Sequence, residues 1–269
     1  MHPIEQLRYV ARASGADARL LVAEAASALR IFGRDPAGLL TGCRRLLTRQ
    51  PAVGPLWWLC TRLVLSADQR SEARLVVEEL HADTTDRRLA EALPDGSTIA
   101  MIGWPDLVVK TLGRRRADCS ALVIDVDGLG PSVTRRLERD EIEAEYFDGS
   151  RMAGVVAECD VVVLEAAAAS PSAALVDTGG LALAATARAL GRPVWLVVPV
   201  GCLLPEPYWR TLVERVIDID KPAFVATAEV IGLGLIDRVV RPDSVIEGAA
   251  MSSLDPDCAA ATELLVEVR

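Results

Sequence analysis

Two spacings of apolar positions divide the chain. From residue 4 to about residue 92 they recur every three to four positions. In ARLLVAEAASALRIF, Leu21, Ala25, Leu29 and Phe32 fall on one stripe, the pattern of a helix with one face in a core. DPAGLLTGCRRLL opens with Asp35 and Pro36, a side-chain cap followed by the residue best suited to the first helical position. PLWWLCTRLVL and SEARLVVEELHADTTDRRLAEAL predict further helices. Trp57 and Trp58 are assigned to packing, because their run offers no polar partner for a ligand.

After the turn LPDG at Leu93 the period changes. Short β-branched runs predict strands at Thr98–Gly103, Ala121–Val126, Glu143–Phe147, Val161–Leu164 and Val194–Val198, with another near Asp237–Val240. Helices are expected between them, near 106–115, 131–139, 151–158, 179–190 and 206–217. Runs such as ALVIDV and DVVVLE hold near-continuous apolar stretches, as fits strands covered on both faces of a parallel sheet. The fold class is therefore α/β: an N-terminal helical domain (1–92), then a doubly wound, mostly parallel, Rossmann-like sheet domain (93–269). Ligands in such a sheet sit at the carboxyl ends of the strands. The tail EGAAMSSLDPDCAAATELLVEVR predicts a loop and a short helix, with no readable role.

Composition narrows the partners. No apolar run approaches the ~20 residues that span a bilayer, and MHPIEQLRYV has neither a basic nor an apolar leader segment. No membrane association is expected, and a cytoplasmic location is. A net charge of −9, with Lys110 and Lys221 the only lysines, argues against a nucleic-acid groove. The basic cluster GRRRAD (113–118) reads as a solvated helix C-terminus. Six scattered cysteines with only two histidines, His2 and His81, give no metal spacing. GLGL at 232–235 is not a dinucleotide fingerprint, so neither cofactor nor metal is expected.

Candidate chemistry gathers at strand ends. In STIAMIGWPDLVVKTL a strand passes through Gly103-Trp104-Pro105 into a helix. Pro105 deletes one free N–H and Asp106 places a negative charge in the first turn, so a phosphate there would meet repulsion. Trp104 offers an aromatic face, suited to an uncharged or cationic ligand. Asp125, Asp127 beside Gly128, and Glu165 would accept hydrogen bonds from hydroxyls or hold Mg²⁺, or they cap loops. Asp177-Thr178-Gly179-Gly180 precedes a helix and offers N–H groups to an anion, or forms an ordinary cap. Cys202 emerges at the same edge, with no histidine partner in view. Tyr208 and Trp209 suit a subunit interface or packing within the chain.

Over residues 88 to 245 the sequence resembles the regulatory subunits of translation initiation factor 2B and the related isomerases of methylthioribose 1-phosphate and ribose 1,5-bisphosphate. The likeness rests on LPDGSTIAMIGWPDLVVKTL, GGLALAATARALGRPVWLVVPV and VIGLGLIDRVV. It implies a cysteine in the first strand-helix turn, where this chain has Gly103, and an aspartate after a later strand, where LEAA supplies Ala167. The family's Arg-Pro element matches DVDGLG without an arginine, and its Asn-Lys-Ile-Gly-Thr loop matches LVDTGG without a lysine. Isomerisation needs a proton shuttle and phosphate anchors. The resemblance thus implies the fold and a homodimer joined through the α/β domain, but not the reaction. The expected protein is non-catalytic: it binds a small sugar- or nucleoside-like metabolite, or acts in assembly. The expected ligand residues are Gly103, Trp104, Asp127, Gly128, Glu165, Thr178, Gly179 and Gly180. The alternative is an enzyme with rebuilt chemistry on Glu165, Asp127 or Cys202.

Overall fold

Caps written in the sequence start the helices. The computed structural model describes residues 17–33, 35–115, 118–217, 220, 222 and 225–266; the helical reading of 4–16 lies outside them, as do His2 and Lys221. Asp17 caps α1 (Ala18–Leu29), accepting a hydrogen bond from the Arg19 N–H at 2.8 Å. Asp35 caps α2 (Pro36–Arg49) through the Gly38 N–H at 2.9 Å. Then follow α3 (Gly54–Leu65), α4 (Gln69–His81) and α5 (Thr85–Ala92). Leu21, Ala25 and Leu29 enter one core with Trp57 and Trp58, and Phe32 packs against it.

The second half alternates as the period predicts. The strands are β1 (Thr98–Ile102), β2 (Ser120–Asp125), β3 (Glu143–Asp148) and β4 (Val161–Glu165), joined by α6 (Asp106–Arg115), α7 (Gly130–Arg139) and α8 (Met152–Glu158). A small antiparallel sheet intervenes: β5 (Ala168–Ala169), β6 (Ala173–Asp177) and, later, β8 (Ala228–Gly232), in the order β5-β6-β8. The main sheet resumes with α9 (Gly180–Ala189), β7 (Val194–Val197), α10 (Glu206–Val216), β9 (Arg238–Val240) and β10 (Val245–Glu247). Its order is β10-β9-β7-β4-β1-β2-β3, parallel except for β10. The chain runs outward from β1 to β3 and crosses back to β4 on the other side. The strand order therefore reverses between β1 and β4, where doubly wound sheets open a crevice.

The antiparallel sheet was not expected from the sequence, and it joins the layers. Strand alternation sends Leu175 into the helical core and its neighbours Ala174 and Val176 into the core of the main sheet. The α3 N-terminus docks directly on this sheet, with the Gly54 N–H donating to the Ala167 carbonyl at 2.9 Å. A Cβ on Gly54 would lie 2.9 Å from that oxygen and 3.2 Å from the Ala168 Cα, so only glycine fits.

Packing does not part at residue 92. Leu89 of α5 joins the sheet core beside α6, while Tyr208, Trp209 and Leu212 of α10 sit in the helical core. Tyr208 is fully buried, 5.1 Å from the Trp57 ring, and its hydroxyl takes hydrogen bonds from Thr61 Oγ1 and the Ala261 N–H, each at 2.7 Å. The expected subunit interface at Tyr208 and Trp209 is thus overturned: both rings pack within the chain. GRRRAD lies at the end of α6, and of its described arginines Arg114, 44% exposed, pairs with Asp86, and Arg115 with Asp95 and the Ala90 carbonyl. The tail has 3₁₀ turns at Gly248–Ser253 and Thr262–Leu265 and returns Ala261 and Leu264 to the helical core.

Candidate functional site: a carboxylate-lined cleft

The carboxyl ends of β1, β4 and β6 face the helical layer across a cleft of about 200 Å³. Residues 104–107 of the β1–α6 junction, 165–167 beyond β4, and Asp177 form one side. Pro199, Val200 and Cys202 form another, and Asp17, Arg19 and Asp83 approach from the helices. Five carboxylates and one guanidinium line it. Arg19 is held by Asp83 at 3.1 Å, and the fully buried Asp83 side chain also takes the Thr85 N–H and hydroxyl at 2.8 and 2.5 Å. Among the described residues, no three acidic, histidine or cysteine side chains are grouped to hold a metal ion.

At the first turn Gly103 has φ +69°, a left-handed conformation that favours glycine. A Cβ there would lie 2.3 Å from Asp177 Oδ2, so the space a side chain would need is occupied by this carboxylate. The half-buried Trp104 packs on the sheet core, and its indole N–H donates to Asp106 Oδ1 at 2.7 Å. The α6 N-terminus is satisfied directly by Glu165, whose Oε2 accepts the Leu107 N–H at 2.8 Å and the Val108 N–H at 3.4 Å. Asp106 was expected to do this from within the helix. Asp106 does stand in that first turn, but it is a carboxyl oxygen from the end of β4 that fills the place where a helix N-terminus would take phosphate.

Crowded carboxylates shift one another. Burial pushes the Glu165 carboxyl up to about 8; Asp106 adds to the rise, while the two backbone N–H groups and Arg19 oppose it. Asp106 is also raised, by burial foremost and then by Asp17 and Asp177, against the Trp104 hydrogen bond and Arg19. Asp177 is raised by burial and by Asp127, against the Trp104 backbone N–H. Burial drives the Cys202 thiol well above its usual range, which disfavours the thiolate a nucleophile needs.

Of the expected ligand residues, Trp104 and Glu165 line the cleft and Gly103 lies beneath Asp177. Asp127 and Gly128 do not line it. They form the β2–α7 turn, the Gly128 N–H donating to Asp125 at 2.7 Å and the Leu129 N–H to Asp127 at 3.3 Å. This is the loop-capping alternative. Thr178 donates to the Ala226 carbonyl at 3.0 Å, and the Leu181 N–H is taken by Glu229 at 2.9 Å. Gly179 and Gly180 press against Ile102 and Val176. Of the two readings of Asp177-Thr178-Gly179-Gly180, these contacts fit the ordinary helix start, and Thr178, Gly179 and Gly180 do not line the cleft.

Sequence reasoning passed over Arg19, although a cation in the first turn of a helix, against the dipole, is an available signal. For Asp83 the signal is tertiary only, whereas Asp177, singled out in the sequence as the start of a possible anion turn, lines the cleft.

The geometry defines an α/β protein with a helical layer closing the switch point of a doubly wound sheet. Its particular fold is that of the translation initiation factor 2B subunits. The eIF-2B of Pyrococcus horikoshii OT3 superposes with a TM-score of 0.76 at 13% identity, over 91% of this chain and 96% of that one. The tetrameric eIF2B-beta2-delta2 complex of Chaetomium thermophilum gives 0.70 at 15% identity, over 93% of each chain. Its eIF2B beta gives 0.68 at 14%, over 93% of this chain and 89% of that one. No protein-family model matches the chain, nor does any curated protein sequence.

Proposed function

We propose that this protein is a non-catalytic member of the initiation factor 2B fold that binds a small uncharged or cationic metabolite, sugar- or nucleoside-like, in the carboxylate-lined cleft. One observation carries this reading: the α6 N-terminus, the natural phosphate site, is already occupied by Glu165. Asp177 against Gly103 supports it, since a second carboxylate fills the space where the family resemblance requires a thiol. A general acid–base pair contributes ~10²–10⁴ in rate, so without it turnover of either sugar phosphate should stay near background. A cytoplasmic homodimer joined through the α/β domain belongs to the same proposal.

A thermal-shift screen tests this, because a ligand that binds only the native state raises its stability by mass action. Nucleosides, amino sugars and polyamines are expected to include stabilising compounds, and sugar phosphates are not. Quenching of Trp emission that disappears in Trp104→Phe would place a hit in the cleft. Micromolar binding of ribose 1,5-bisphosphate or methylthioribose 1-phosphate, or product seen by NMR, would overturn the proposal.

A second reading is favoured by the Glu165 carboxyl, which titrates near 8 and so carries a proton at neutral pH beside the cleft. That suits a general acid. Asp127 lies outside the cleft and Cys202 is held as a thiol, so this enzyme would rest on Glu165. Loss of turnover on a cleft ligand in Glu165→Gln would establish it, whereas a binding protein would lose only affinity.

A further inference from the structure

The cleft wall made by Pro199, Val200 and Cys202 is backed by the tail. The loop from Val198 to Leu204 brings Pro199, Val200 and Cys202 into the cleft. On one side it pairs with the small sheet: the Ala169 N–H donates to the Cys202 carbonyl and the Leu204 N–H to the Ala169 carbonyl, each at 2.7 Å. On the other side stands Arg241, just beyond β9. Its Nη1 donates to the carbonyls of Val198 at 3.1 Å and Pro199 at 3.3 Å, and its Nη2 pairs with Asp257 Oδ1. Asp257 then exchanges two hydrogen bonds with Leu203, accepting its N–H at 3.0 Å and donating to its carbonyl at 2.8 Å. Both charged side chains are 12% exposed, in the range where a pair's geometry is enforced rather than averaged by water.

We propose that Arg241 and Asp257 are positioning residues that hold the 198–204 loop as a wall of the cleft, making the tail a strap across the back of the site. Beyond Asp257 the strap continues into the helical layer. The Tyr208 hydroxyl takes the Ala261 N–H, and Arg44 of α2 donates to the Glu263 carbonyl at 2.8 Å. One segment thereby clamps the loop and ties the helical layer that closes the cleft. A single backbone loop with two carbonyls converging on one fork suits arginine and not lysine, because only the planar guanidinium reaches both carbonyls and a carboxylate together. The consequence for binding rests on the cleft being the ligand site; the clamp itself does not, and it is tested without a ligand.

Cys202 reports the wall, being 3% exposed within the loop, and Cys60, fully buried in the helical core, reports global unfolding. The full chain is treated with an uncharged thiol reagent, and labelling at each cysteine is followed by mass spectrometry. In Arg241→Met, Cys202 labelling is expected to accelerate about tenfold or more while Cys60 does not, as local opening requires. The sign is diagnostic. Arg241 lowers the Cys202 pKa, so its loss through charge alone would slow labelling. Arg241→Lys keeps the charge and loses the fork, so acceleration there too assigns the effect to position, and this variant carries the test if Arg241→Met does not fold. An unchanged Cys202 rate, or Cys60 accelerating in proportion, would overturn the assignment. If the clamp passes and no ligand is found, the cleft reading alone fails.

Discussion

At the scale of single residues the cleft is governed by Glu165. Its folded carboxyl keeps a proton up to about pH 8, whereas the ordinary glutamate value is 4.5. Between those values the unfolded chain binds fewer protons than the native one, so stability falls as pH rises through this window. Glu165→Gln removes the linkage while its amide oxygen still accepts the helix N–H groups. The variant should be more stable than the parent at about pH 8.5, by roughly 1–3 kcal/mol, and nearly equal to it at about pH 5. Thermal melts at the two pH values check this; a parent that is the more stable at the higher pH would show that the charged carboxylate is welcome at the α6 N-terminus. Glu165 was legible in the sequence because an acid ending an apolar run of a parallel strand must surface at the ligand edge. Asp177 ends its strand in the same way. That its carboxylate closes the space over Gly103 depends on a small sheet no local pattern announced.

At the scale of elements the instructive seam is α5 against α6. The Asp86 side chain, 1% exposed, meets Lys110 Nζ at 3.0 Å and Arg114 Nε at 2.6 Å, and its carbonyl accepts the Thr111 hydroxyl at 3.1 Å. Burial raises its pKa, but hydrogen bonds and attraction from Lys110 and Arg114 outweigh burial and leave it lowered. A lowered carboxylate contributes stability above the unfolded pKa that is lost as pH falls through the folded one. Asp86→Asn should therefore cost about 1–3 kcal/mol near neutral pH, less than a fully buried pair because its partners are half-exposed, and much less at about pH 3. Urea denaturation at both pH values measures it. The same seam adds to the reading of GRRRAD: it does stand at a helix C-terminus with Arg114 half-exposed, and a buried acid on the neighbouring helix engages that arginine. The central strands β1, β2, β4 and β7 were legible because burial gives near-continuous apolar runs, whereas β10 was not expected and the edge strand β3 carries no such run. The β5-β6-β8 sheet was not legible, since AAAASPSAALVD has mostly alanine where a strand signal needs bulk, and its partner lies some fifty residues on.

At the scale of the whole molecule the open matter is what the α/β domain presents to a second copy. Tyr208→Ala should destabilise the fold, not dissociate a dimer, because that ring lies between the layers. A proposed two-fold interface must use surface that is apolar and free within the chain. Val126, Leu129 and Leu181 are 42%, 39% and 41% exposed, and Val126 lies against Gly179, two residues from Leu181. An isologous contact would place this patch near its own symmetry mate, where a new charge meets its copy. Each chain carries −9, so the approach of two copies is opposed by long-range repulsion that salt screens within about 8–10 Å at 0.1–0.15 M. Light scattering at micromolar concentration is expected to give twice the chain mass, with the dimer fraction rising as salt is added. Leu181→Glu should shift the mass towards the monomer and leave the melting temperature of the monomer little changed. A monomer mass for the parent under all these conditions removes the proposed dimer, and a dimer indifferent to Leu181→Glu moves its interface elsewhere on the domain.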